Sequence, residues 1–172
     1  SPEMVFENLN YTYAKWNDLD LKKIKIQNVA FQYRNPALGF NGKVEYFLMN
    51  NYTYFEELSN PQNDRRKDKW INPAQLDNAN LLKVSVGQKF KLNHFTLDNL
   101  VVYQKTDQQN ILAIPELYTW HSLYYSNIFY KVIDYSIGID AKFNTPYANP
   151  NYSIGTGQFY NAYQQIEFST YP

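Results

Sequence analysis

Val132-Ile-Asp-Tyr-Ser-Ile-Gly-Ile-Asp-Ala-Lys-Phe143 decides the fold. Ile133, Tyr135, Ile137, Ile139, Ala141 and Phe143 fall on one side of an extended chain. Asp134, Ser136, Gly138, Asp140 and Lys142 fall on the other. A strand, with its period of two, is the regular structure that separates those sets. Working outward, Asn80–Lys91 repeats the pattern. Leu82, Val84, Val86 and Phe90 stand against Lys83, Ser85, Gly87, Lys89 and Lys91, with Gln88 as the one misfit. Val29, Phe31 and Tyr33 alternate with Asn28, Ala30, Gln32 and Arg34 before Pro36. Val44, Tyr46 and Leu48 oppose Lys43 and Glu45, although Phe47 and Met49 blur the polar face. Thr96–Lys105 and Glu116–Ile128 have strand composition with mixed faces. Gln158–Thr170 reads as a further strand, polar early and apolar late, with Ile166 and Phe168 on one face. No helical period of convincing length appears, and no internal repeat of fixed period.

Composition narrows the function. Sixteen Lys+Arg balance sixteen Asp+Glu in 172 residues, which removes the electrostatic case for nucleic acid or a polybasic membrane contact. Cysteine is absent, so disulfides, thiolate catalysis and Cys-type zinc sites are excluded. The two histidines, His94 and His121, are far apart and supply triad or metal chemistry poorly. Adjacent Glu56 and Glu57 would face opposite ways in a strand and make no acid–base pair. The expectation is a protein that is not an enzyme and holds no cofactor. Seventeen Tyr, eleven Phe and three Trp make up 18% of the chain, whereas charged residues are only 19%. A mean hydropathy of -0.58 and the lack of a long apolar run exclude a transmembrane helix. A transmembrane strand escapes that test, because it needs only alternate apolar residues over about 10 positions.

The connections are unequal. Short turns are expected at Asn35–Asn41, Leu92–Phe95 and Phe129–Lys131, and long loops at 56–79, 106–115 and 145–157. They alternate strictly from Asn35 onward, as they do in an up-and-down membrane barrel with short turns on the periplasmic side. The chain opens Ser1-Pro2-Glu3 with no signal peptide, so a processed or internal segment is expected.

The run Leu81-Leu-Lys-Val-Ser-Val-Gly-Gln-Lys-Phe-Lys-Leu92, followed by Leu97-Asp-Asn-Leu-Val-Val-Tyr-Gln104, resembles the putative porin family of Bacteroidetes outer membranes. Arg34-Asn-Pro-Ala-Leu-Gly-Phe40, Pro115-Glu-Leu117, Ser122-Leu-Tyr-Tyr125, Ala148-Asn-Pro150 and Gly157-Gln-Phe-Tyr-Asn161 continue the resemblance in order. The resemblance implies an all-β, antiparallel up-and-down transmembrane β-barrel in a Gram-negative outer membrane. Family members usually end in a strand with a terminal aromatic residue, whereas this chain ends Thr170-Tyr171-Pro172. The segment is therefore expected to be part of a larger barrel.

The expected role is a porin-like passive diffusion channel. Lys83, Lys89, Asp98, Asp134, Asp140 and Lys142 are the candidates for its wet lumen. Val84, Val86, Ile133, Ile137 and Ile139 are the candidates for lipid contact. Tyr118, Trp120, Tyr124, Tyr125, Phe129 and Tyr130 are the candidates for the interfacial aromatic girdle. Outer-membrane lipid and lipopolysaccharide are the expected partners, with no nucleic acid. A structural barrel subunit of an outer-membrane assembly or secretion complex, its lumen plugged and its aromatic face against other proteins, is the alternative. A secreted β-sandwich binding polysaccharide through Trp16, Trp70 and Trp120 is a minor one. The charged run Asp64–Lys69 is expected to be a solvated loop.

Overall fold

The computed structural model describes residues 9–11, 14–16, 21–57, 71–154, 157–162 and 167–168. A small hairpin, β1 (Leu9–Tyr11) and β2 (Ala14–Trp16), precedes the main sheet. That sheet holds β3 (Lys25–Asn35), β4 (Phe40–Glu57), β5 (Ile71–Leu92), β6 (Phe95–Thr106), β7 (Leu117–Phe129) and β8 (Ile133–Asn144). Spatial order equals chain order and each neighbour is antiparallel, so the expected all-β, up-and-down meander is present. β3 and β8 are the outer strands, and among the described residues they do not pair with each other. Charged Asp64–Lys69 lies outside the described residues.

Several boundaries differ from the sequence expectation. β4 runs to Glu57 and β5 starts at Ile71, so the segment 56–79 is strand at both ends rather than loop. Asn72, Pro73 and Asn78 read as loop residues, yet the ladder continues through Phe55↔Pro73 and Asn50↔Asn78. The 106–115 connection holds one helical turn, Gln109–Leu112. The 145–157 connection holds two short strands, β9 (Tyr147–Ala148) and β10 (Asn151–Ser153). Among the described residues, Gln158–Thr170 does not form a seventh long strand. It contributes β11 (Gln158–Tyr160), paired with β10, and β12 (Glu167–Phe168), paired with β9.

The three short turns sit where expected, each built differently. After Asn35 comes a 3-10 turn, Pro36–Leu38, closed by Gly39 at φ 63. Asn35 accepts from the Leu38 N–H, and the Lys89 N–H donates to the Gly39 carbonyl at 2.9 Å. Asn93, at φ 53, turns β5 into β6. Tyr130 and Lys131, at φ 50 and 58, turn β7 into β8, with the Val132 N–H donating to Phe129 O at 3.1 Å. Two consecutive left-handed residues make a type I′ turn, whose twist suits a hairpin but which favours Asn-Gly. A Cβ-bearing side chain in that region costs about 1–2 kcal/mol. Lys131→Gly should therefore stabilise the protein by about 1 kcal/mol, read as a higher denaturation midpoint with unchanged function.

The sheet is also sheared in one direction. Phe40, at the first turn, pairs with Gln88 rather than with the end of β5, and Phe95, at the second, pairs with Tyr125 rather than with the end of β7. A stagger of constant sign is what strand tilt in a barrel wall requires.

Candidate functional site

Directly opposed residues of antiparallel strands share a face, so the register sorts the sheet into two surfaces. One carries Val29, Phe31, Val44, Tyr46, Val84, Val86, Val101, Leu123 and the whole Ile133–Phe143 odd series. It is exposed: Val29 at 75%, Phe31 at 72%, Ile137 at 70% and Ile139 at 74%. The lipid candidates Val84, Val86, Ile133, Ile137 and Ile139 all lie here. A soluble monomer rarely exposes a contiguous apolar patch beyond a few hundred Å². Among the described residues no second sheet covers this face, so the sandwich reading lacks its partner layer.

The opposite face is polar. All six lumen candidates, Lys83, Lys89, Asp98, Asp134, Asp140 and Lys142, fall on it by register. Lys89 and Asp98 form an ion pair at 3.3 Å, and the Lys89 ammonium lies 5.9 Å from the centre of the Tyr124 ring. Asp98 is followed across the sheet by Ser122 and Asp140. Lys83 stands between Glu45 and Gln104, Lys142 opposite Trp120, and Asp134 opposite Ile128 near the third turn. Ser126 donates to Ser136 at 3.0 Å. The structure adds Arg34, Lys43, Glu45 and Lys91 to this face, with Lys43 and Glu45 paired at 2.6 Å. Lys43 and Glu45 were already visible as the polar neighbours of Val44, and Arg34 and Lys91 as polar members of their own runs. Basic groups dominate β3–β5 and carboxylates β6–β8, so the face carries a charge gradient across its strands.

The aromatic candidates do not form one girdle. Tyr125 and Phe129 belong to the apolar face, and Tyr130 to the turn. Tyr118, Trp120 and Tyr124 share the polar face with the charges. Successive residues of one strand point to opposite faces, so a crowd of aromatics along β7 must divide. Tyr124 sits opposite Gly138, where a Cβ would come within 2.7 Å of the Tyr124 side chain. That glycine makes the space in which Tyr124 lies beside Lys89.

Toward the long-loop end the polar face changes character. Met49, Phe55, Ile71, Ala79 and Val102 on it are buried, Met49 to 7% and Ala79 to 2% exposure. Phe47 and Met49, which blur the sequence pattern, belong to this patch. Chain segments cross beside it. The Asn161 N–H donates to Phe55 O at 2.8 Å, and the Glu57 N–H to Asn161 O at 2.9 Å, which ties β11 to the edge of β4. Asn161 Nδ2 also donates to Ile111 O. Gln75 accepts from the Lys22 N–H and donates to Lys22 O, bringing the approach to β3 over the same end. Tyr160 and Ala162 are buried there as well.

Among the described residues, no group of three or more His, Asp or Glu side chains could hold a metal ion, and no helix is long and apolar enough to cross a membrane. A family model described as putative porin matches residues 1–172. No curated protein and no solved structure matches the chain.

Proposed function

The chain belongs to the putative porin family, and from that membership we propose that it forms part of the wall of a β-barrel carrying small polar solutes passively across a Gram-negative outer membrane. At the coarse level it is a porin-like protein of the bacterial outer membrane. The observation that carries the finer reading is the inverted sheet: its exposed side is apolar and its charged side is turned away from it. Hydrocarbon covers the first at no cost, and a water-filled interior solvates the second. The partners are then membrane lipid and lipopolysaccharide, and no step needs catalysis or a cofactor.

The buried patch around Met49 and Ala79 favours a second reading, a barrel whose interior is obstructed at the long-loop end and which serves as a structural subunit. Conductance separates the two. Full-length protein in a planar bilayer should give discrete open steps. Lys89→Glu reverses one wall charge, and at the effective dielectric of a wet pore that is worth about 0.5–1 kcal/mol, so the anion-to-cation permeability ratio should fall about twofold to fivefold. Correctly assembled protein with no conductance would leave the obstructed subunit standing and remove the channel.

A further inference from the structure

Gln88, the misfit of the β5 pattern, is not isolated. It lies opposite Asn99 on β6, and Asn99 lies opposite His121 on β7. The three make one polar row on the apolar face. His121 Nδ1 is 2.7 Å from Asn99 Oδ1, Asn99 Nδ2 donates to Gln88 O at 3.4 Å, and Gln88 Nε2 donates to Leu38 O in the first turn. Val86 and Val101 flank the row on one side, and Phe90, Leu97 and Leu123 on the other. The row therefore runs inside the apolar band, where hydrocarbon offers no hydrogen bond and unmet polar groups are costly.

The internal bonds meet only part of that need. A carboxamide oxygen accepts, so His121 Nδ1 carries the proton and Nε2 of the neutral ring is an acceptor. Among the described residues Nε2 has no partner. Asn99 keeps a second amide hydrogen, because its one donated bond is the long contact to Gln88 O. The row thus offers a donor and an acceptor together, which makes it complementary to itself.

We propose that this row is the contact between two copies of this chain lying side by side in the membrane, with Asn99 at its centre. The inference rests on the outer-membrane barrel reading. Two copies inserted in the same direction are related by an axis along the membrane normal, which gives each the same patch. Gln88, Asn99 and His121 lie across tilted strands, so the row meets its mate crosswise at its middle residue. Leu97 and Val101, beside Asn99 on β6, supply the apolar contact around the hydrogen bonds.

Asn99→p-benzoylphenylalanine in the full-length protein, irradiated in native outer membranes, should give a cross-linked product of twice the subunit mass. The same side chain at Ile137 should give none. Asn99→Leu combined with His121→Leu should convert the dimer on native gels to monomer while heat-modifiable mobility is retained. Cross-linking at position 99 to a protein of another mass, or to lipid alone, would overturn the proposal. So would a dimer that persists in the double variant. Failure of the barrel reading is distinguishable, because the unsubstituted protein would then show no heat-modifiable mobility and would not fractionate with the outer membrane.

Discussion

Ile137→Arg is expected to cost about 2–4 kcal/mol in the assembled protein, and Ser136→Arg far less. The two positions are adjacent on β8, so propensity, depth and distance from the turn are nearly matched. They differ in face: Ile137 is 70% exposed on the apolar side, and Ser136 stands on the polar side with Ser126. Arginine at 137 would place a guanidinium in hydrocarbon, whereas at 136 it would extend into water. The yield of heat-modifiable protein in membranes reads the difference directly. The cysteine-free chain allows a parallel test. Single cysteines at Asp134, Ser136 and Asp140 should react with a water-soluble thiol reagent, and those at Ile133, Ile137 and Ile139 should resist it, because the reactive thiolate needs water. Equal reactivity along the strand would show that β8 does not separate lipid from water.

Gly39→Ala should be the most damaging small substitution in the short turns. The residue sits at φ 63, where a Cβ costs about 1–2 kcal/mol. In addition, that Cβ would overlap the Lys89 carbonyl oxygen, a backbone atom that cannot rotate away. Relief requires moving the turn off β5 and losing the Lys89 N–H bond to Gly39 O, about 1 kcal/mol more. The sum is about 2–3 kcal/mol. Gly157→Ala supplies the control. Its φ is 67, but among the described residues no atom lies within 4 Å of the added Cβ, so only the conformational cost of about 1–2 kcal/mol applies. Denaturation midpoints of the two variants in detergent should differ accordingly. Equal losses would mean that Gly39 does not pack against β5.

The period-two runs were legible because each keeps one face apolar and the other polar along its length. That is why Val132–Phe143 and Asn80–Lys91 could be read residue by residue, and why the charged and the aliphatic candidates on them fall on separate faces. The mixed strands became clear only through register: Thr96–Lys105 and Glu116–Ile128 look irregular alone, yet align with their neighbours on both surfaces. Phe47 and Met49 broke the pattern because the polar face gives way to apolar residues toward the long-loop end, where Met49 and Ala79 are buried. Gln88 broke it because its partners, Asn99 and His121, are on other strands, and a single run cannot display a feature that crosses runs. The upper reach of β5 was missed for a different reason. Asn72, Pro73 and Asn78 are turn-forming residue types, and only the ladder to β4, which pairs Asn72 with Glu56, Pro73 with Phe55 and Asn78 with Asn50, holds them in a strand. The division of the β7 aromatics was available from parity alone. Tyr118, Trp120 and Tyr124 carry even numbers like Ser122, and Tyr125 and Phe129 carry odd ones.

The pairing of each strand only with its neighbours in sequence also sets an order of events. Every ladder of the main sheet closes a local loop, whose entropic cost grows only slowly with length. Hairpins can therefore form one after another, each templating the next, without a search for distant partners. The tie between Asn161 and β4 is the exception, since it joins residues from opposite sides of the described sheet. It can form only after β5 to β8 have been laid down. A nascent wall would thus pass through a stage in which the long-loop end is still uncovered, and docking of β11 would be the late, slow phase of its maturation.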